Sequence, residues 1–152
     1  TSGVLGDFVY NQVYDLELAG YQVILAHPER SFMPADLPKL RKLGDMGVYF
    51  QITAGSIAGK FGRQIQRFAF KLLEEGLCHF IASDAHNPHS RAFFYNEAKS
   101  VLQKKELIPQ AIDLLFRENP SKVLSGEPSI RNVSLKRSQP SNRKLFPRRR
   151  LS

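Results

Sequence analysis

Ile81-Ala82-Ser83-Asp84-Ala85-His86-Asn87-Pro88 is an apolar run that stops abruptly in an Asp-x-His pair. Upstream, Val23-Ile24-Leu25-Ala26-His27-Pro28-Glu29-Arg30 repeats the pattern, with a histidine where the apolar run ends. Two buried strands that both release metal-type ligands at their carboxyl ends put those ligands on one rim of a parallel sheet. That rim is where α/β proteins keep their chemistry.

The segments around these two exits alternate between helix and strand. Phe8, Val9, Val13, Leu16 and Leu18 recur at helical spacing, and Gly20 supplies a stop. Tyr21 to Ala26 is short, β-branched and continuously apolar, the pattern of a strand covered on both faces. Pro34-Ala35-Asp36 opens a second helix with Leu37, Leu40 and Leu43 inward, and Val48 to Ile52 is the second strand. It runs into Thr53-Ala54-Gly55-Ser56, small residues that allow a close backbone approach. A third helix covers about Gly62 to Glu75, with Ile65, Phe68, Ala69, Leu72 and Leu73 as its buried stripe and Gly76 as its stop. His79 to Ser83 is the third strand. Helices are then expected over Arg91 to Lys104, Ile108 to Arg117, and from Asn119-Pro120 to Leu124. This order predicts an α/β fold with parallel strands and right-handed crossovers. Three strands make neither a closed barrel nor a comfortable open sheet. With a start at Thr1 in sequence that is already apolar, this predicts a fragment whose N-terminal strands are missing or come from a partner.

The formal charge of +8 belongs to the end of the chain. Residues 131–152 carry Arg131, Lys136, Arg137, Arg143, Lys144, Arg148, Arg149 and Arg150 with no acid, and the remaining bases and acids balance. The globular part therefore shows no nucleic-acid face. Residues 1–127 are expected to form the domain. Residues 128–152, with alternating Pro, Ser and basic residues and few apolar groups, are expected to be a disordered basic tail open to an acidic partner. No apolar run is long enough to span a membrane. The single cysteine, Cys78, excludes an internal disulfide, fits a cytoplasmic location, and reads as buried and inert.

His27 precedes Pro28, which favours an extended backbone there and removes one donor. A neutral imidazole held at that exit can ligate Zn, Mn or Fe, although a hydrogen-bonded core histidine is the commoner explanation of one such residue. Asp84 and His86, two residues apart at a strand exit, can reach one metal ion or two adjacent ones; a loop capped by Asp84 is the plainer alternative. Three mixed N/O ligands without a second cysteine argue against structural zinc and suit a hydrolytic site with positions open to water. Arg30 and Arg91 follow the two exits, where a guanidinium fork can grip phosphoryl oxygens. Arg30 can instead pair with Glu29 or Asp36, and Arg91 can simply start a helix. His79 reads as a strand-start residue and His89 as a solvated loop residue.

His27-Pro28-Glu29-Arg30, Gln51-Ile52-Thr53-Ala54-Gly55-Ser56-Ile57-Ala58-Gly59 and Ala82-Ser83-Asp84-Ala85-His86-Asn87 with Arg91 together resemble the polymerase-and-histidinol-phosphatase superfamily. They are most similar to its bacterial tyrosine-protein phosphatase branch, linked to capsule and exopolysaccharide synthesis, over roughly residues 10–130. The resemblance implies the C-terminal part of a distorted (β/α)7 barrel carrying a cluster of divalent metals, often manganese. It implies metal-ligand roles for His27, Asp84 and His86. Catalytic and phosphate-gripping roles fall on Arg30 and Arg91. The implied reaction is hydrolysis of phosphotyrosine by metal-activated water, the substrate being the tail of a bacterial tyrosine kinase, and oligomers are possible. The family's opening His-x-His strand and its further Asp, His and Glu ligands have no counterpart here, so about half of a metal shell is expected. Two alternatives stay open: a non-catalytic interaction module with a basic tail, and another phosphatase of the superfamily, such as one acting on histidinol phosphate.

Overall fold

The computed structural model describes residues 6, 8–86, 93–127 and 130–133. Helix α1 (Phe8–Leu18) leads to strand β1 (Ile24–Ala26), the short helix α2 (Pro28–Ser31), a 3-10 turn (Pro34–Asp36) and α3 (Leu37–Asp45). Strand β2 (Tyr49–Thr53) is followed by the one-turn α4 (Ala54–Ile57) and by α5 (Arg63–Glu74), and strand β3 (Phe80–Ala82) follows. The chain then forms α6 (Tyr95–Lys104), α7 (Pro109–Asp113), a π-helical turn (Leu114–Glu118) and α8 (Asn119–Ser125). The sheet has the order β1-β2-β3 with both pairs parallel, Leu25 opposite Phe50 and Ile52 opposite Ile81. All three strands therefore end on one rim, as the alternation of elements requires.

The helices form where their apolar stripes find the sheet. Leu37, Leu40 and Leu43 of α3 are buried, as are Phe68, Ala69, Leu72 and Leu73 of α5, against a core that includes Phe50, Ile52 and Ile81. Each fully buried side chain of this size contributes about 1.5–3 kcal/mol of transfer free energy. Gly76 ends α5 at a φ of 73°, a conformation that would strain a residue with a Cβ. Asn119 is fully buried and donates from Nδ2 to the carbonyls of His79, at 2.7 Å, and Arg131, at 2.6 Å. One amide thus anchors both the start of β3 and the segment after α8.

One expectation about the core needs correction. Strand β1 is covered on both faces only in the sequence pattern; in the fold it is an edge strand, and Ile24 and Ala26, which share one face, are exposed. The stripe of α1 is likewise open. Val13 is buried, whereas Phe8, Leu16 and Leu18 lie exposed. Among residues 130–133, Val133 joins the core, and Asn132 Nδ2 donates to the Gly76 carbonyl at 3.3 Å. The rest of the expected basic tail, residues 128–129 and 134–152, lies outside the described residues. Among the described residues no helix is long and apolar enough to cross a membrane.

Candidate functional site

The rim is built where β1 and β3 stop. His27 continues the β1 ladder through its N–H, which donates to the Gln51 carbonyl at 2.8 Å. The chain then turns sharply into α2, with Pro28 at its first position, where a missing N–H costs nothing. That turn sets His27 at φ 41° and ψ 50°, in the left-handed region rather than the extended one that a following proline favours. Asp84, after β3, also has a positive φ, 48°. Of the four non-glycine residues with positive φ among the described residues, two are therefore the strand-exit candidates themselves. Strained backbone of this kind persists only where surrounding contacts hold it, and such positions cluster at functional sites.

Several long-range contacts hold this one. Glu29, 2% exposed, accepts the Thr53 N–H at 3.1 Å and the Ser56 hydroxyl at 2.7 Å on Oε1. Its carboxylate satisfies backbone and side-chain donors at the start of α4, and so fastens the β1 exit to the β2 exit. Glu29 Oε2, Gln51 Nε2 and Thr53 Oγ1 are buried without a partner among the described residues, a polar layer beneath the rim. At the third exit the Tyr95 hydroxyl accepts the Ser83 N–H at 3.1 Å, tying α6 to β3.

Arg30 pairs with neither Glu29 nor Asp36. Its Nη1 lies 2.5 Å from Asp84 Oδ2, and its guanidinium lies 4.7 Å from the centre of the Phe61 ring. The structure thus joins Arg30 and Asp84, 54 residues apart in sequence. His86 folds back: its Nδ1 donates to the Asp84 carbonyl at 2.7 Å and lies 3.7 Å from Asp84 Oδ1. His27 Nδ1 is 3.4 Å from Ser31 Oγ. Arg91 and His89 lie outside the described residues.

The donors have the chemistry of a divalent-metal site, neutral imidazole and carboxylate, but not its number. Among the described residues no group of three or more His, Cys, Asp or Glu side chains stands where it could hold a metal ion. Arg30 holds the Asp84 carboxylate, and His86 is turned to the backbone. Among the described residues the donor set therefore falls short of a metal shell. Cys78 is no substitute nucleophile: it is buried, and burial, with Glu29 nearby, pushes its thiol pKa up. His79 is structural. Its Nδ1 accepts the Phe50 N–H at 3.0 Å, and burial lowers its pKa to about 4.

Sequence reasoning missed Glu29, Tyr95 and Phe61 as parts of the rim. Glu29 alone left a signal, an acid placed between an apolar strand and Arg30. The partners of the other two are set by folding, not by spacing.

The profile of the family described as capsular polysaccharide synthesis, CpsB/CapC, matches residues 6–125. The tyrosine-protein phosphatase YwqE of Bacillus subtilis is 40% identical over 137 residues, which cover 88% of this chain and 51% of that protein. The tyrosine-protein phosphatase CpsB of Streptococcus pneumoniae is 31% identical over 125 residues, 76% of this chain and 51% of that one. A crystal structure from the work on YwqE and CpsB, described as unique metal-dependent tyrosine phosphatases, superposes with a TM-score of 0.76 at 36% identity, covering 88% of this chain and 54% of that one. The chain spans about half the length of the curated relatives it matches.

Proposed function

Because the chain belongs to the capsular polysaccharide synthesis CpsB/CapC family, we propose that it forms the C-terminal half of a metal-dependent protein-tyrosine phosphatase. The observation that supports this most is the meeting of Arg30 and Asp84 at the common exit of parallel strands. A planar, permanently charged fork at that position can take two oxygens of a phosphoryl group and stabilise the charge that spreads over them during in-line attack by water. Arg91 is proposed to share that task. Phe61 beneath the guanidinium limits where Arg30 can point, and Glu29 fixes the α2 turn from which it extends. His27, Asp84 and His86 are proposed as half of a ligand set, completed by the part of a family-length protein that lies outside these residues. Manganese is the first metal to test, with iron and zinc as alternatives. The barrel is completed in the same way, and the substrate is a phosphotyrosine protein, proposed to be the tail of a bacterial tyrosine kinase in the cytoplasm.

A chain extended to the length of its relatives is expected to hydrolyse p-nitrophenyl phosphate with added manganese and to lose activity to a chelator. Unchanged turnover after replacing both His27 and Asp84 by Ala rules out the assigned site. The 152 residues alone are expected to turn over little or nothing, and robust metal-dependent turnover by them overturns the half-shell reading. The same incomplete donor set favours one second reading, a non-catalytic module of the same fold. Failure of the extended chain to hydrolyse either p-nitrophenyl phosphate or a phosphotyrosine peptide would select it.

A further inference from the structure

Beside Arg30 lies a group of aromatic rings that the reading of the rim does not use. Gly55, in α4, marks where they meet. A Cβ placed on it would lie 2.8 Å from Cε2 of Phe61 and 3.2 Å from Cδ2 of Phe94, so both rings converge on one point of bare backbone. Neither ring is buried, and Phe93 next to them is 66% exposed. Each ring also carries a cation: the Arg30 guanidinium is 4.7 Å from the centre of Phe61, and Lys60 Nζ is 5.1 Å from the centre of Phe94. The segment is held in place. Phe94 has a strained φ of 48°, Phe93 leans on Tyr95 with ring centres 6.2 Å apart, and Tyr95 is hydrogen-bonded to Ser83 beside Asp84.

A half-exposed aromatic wall between two cations leaves apolar ring surface in water beyond what its packing on Gly55 covers. It matches one ligand chemistry, an anion joined directly to an aromatic ring. We infer that Phe61 and Phe94, with Lys60, form the subsite for the ring of phosphotyrosine and set the preference for aryl over alkyl phosphates. The inference rests on the reading of Arg30 as the phosphate grip. A phosphoryl group held by Arg30 brings its ester oxygen over α4, and a ring attached there meets the free edges of Phe61 and Phe94 in edge-to-face or offset contact. The short side chain of phosphoserine does not reach them. Lys60 adds attraction for acidic residues flanking the phosphotyrosine.

The test uses the 152-residue chain and binding, so it does not depend on turnover. O-phospho-L-tyrosine, O-phospho-L-serine and inorganic phosphate are titrated by NMR into the wild type, Arg30→Gln, Phe61→Leu, Phe94→Leu and the Phe61→Leu/Phe94→Leu pair. Phosphotyrosine is expected to bind about three- to tenfold more tightly than phosphoserine, the scale of one or two aromatic contacts. Phe94→Leu is expected to reduce that ratio while phosphate binding is unchanged, and the double substitution to erase it. Nuclear Overhauser contacts from the tyrosyl ring protons to Phe61 and Phe94 provide a readout in the unsubstituted chain. If phosphate binds through Arg30 but the ratio is absent, or survives in a folded double variant without those contacts, the subsite is wrong and the grip stands. If none of the three compounds binds, the grip itself fails and the subsite falls with it.

Discussion

At the scale of single residues, two buried polar side chains govern how the rim is held. Glu29 provides the acceptor for two donors at the start of α4, and removing it leaves the Thr53 N–H and the Ser56 hydroxyl without that partner. Unpaired buried donors cost about 1–3 kcal/mol each. Glu29→Ala is therefore expected to destabilise the chain by about 2–4 kcal/mol in urea unfolding, and Glu29→Gln, which keeps an oxygen at Oε1, by clearly less; equal losses would show that charge, not the acceptor, matters. His79 gives a pH dependence of known sign. Burial holds its folded pKa at about 4, below its ordinary value of 6.5, so the unfolded chain takes up the proton first as pH falls. The stability it contributes is complete above about pH 6.5 and is lost progressively down to about pH 4, on the order of 3 kcal/mol across the window. His79→Asn places an amide oxygen near the position of Nδ1 and should flatten that slope when unfolding is followed between pH 4 and 7. An unchanged slope would assign the dependence to other groups. The role of His79 was not legible beforehand. The sequence places His79 at the start of a strand, but only the register of β2 against β3 turns its ring nitrogen toward the Phe50 amide.

At the scale of elements, legibility follows from how local the determining force is. The three strands and the helices α3, α5 and α6 follow from apolar periodicity, and each formed within a few residues of its expected place. The one-turn helices α2 and α4 escaped because four residues cannot show a period; they exist because the chain must turn sharply out of each strand. The coverage of β1 was misread for a different reason. A continuous apolar run reports that a strand suits burial, but not whether neighbours arrive to bury it. At the other end of the domain Asn119 does the joining: it binds two carbonyls from segments 40 and 12 residues away, and its first partner lies at the entry to β3. Asn119→Ala is expected to lower stability by about 2–3 kcal/mol, because both carbonyls lose their donor in a buried site. Amide exchange should rise first in residues 130–133 and at the start of β3. Uniform acceleration across the whole sheet would show instead that the amide acts on global stability and not on this joint.

At the scale of the whole molecule, the rim and the sheet of the described residues are open side by side. On the proposed reading the rim offers one half of a ligand set, and the sheet leaves β1 as an edge beside the exposed apolar residues of α1. Phe8, Tyr14 and Leu18 of α1, Tyr21, and Ile24 of β1 are all exposed, Leu18 at 70%. Soluble domains rarely leave such side chains together beside a strand edge, because the edge templates further pairing and the patch favours association. About half the length of the relatives is outside this alignment, so a covering segment is available to a family-length protein. The 152 residues by themselves are expected to associate as concentration rises and to bind a hydrophobic dye such as ANS. Because Leu18 and Ile24 contribute little to the core, Leu18→Lys with Ile24→Lys should reduce both effects while leaving the melting temperature within a few degrees, as surface changes do. Sedimentation velocity across a hundredfold concentration range separates the cases. A monomer that binds no dye at any concentration would overturn the reading of this face as open, and the variant pair would then lower stability instead of association.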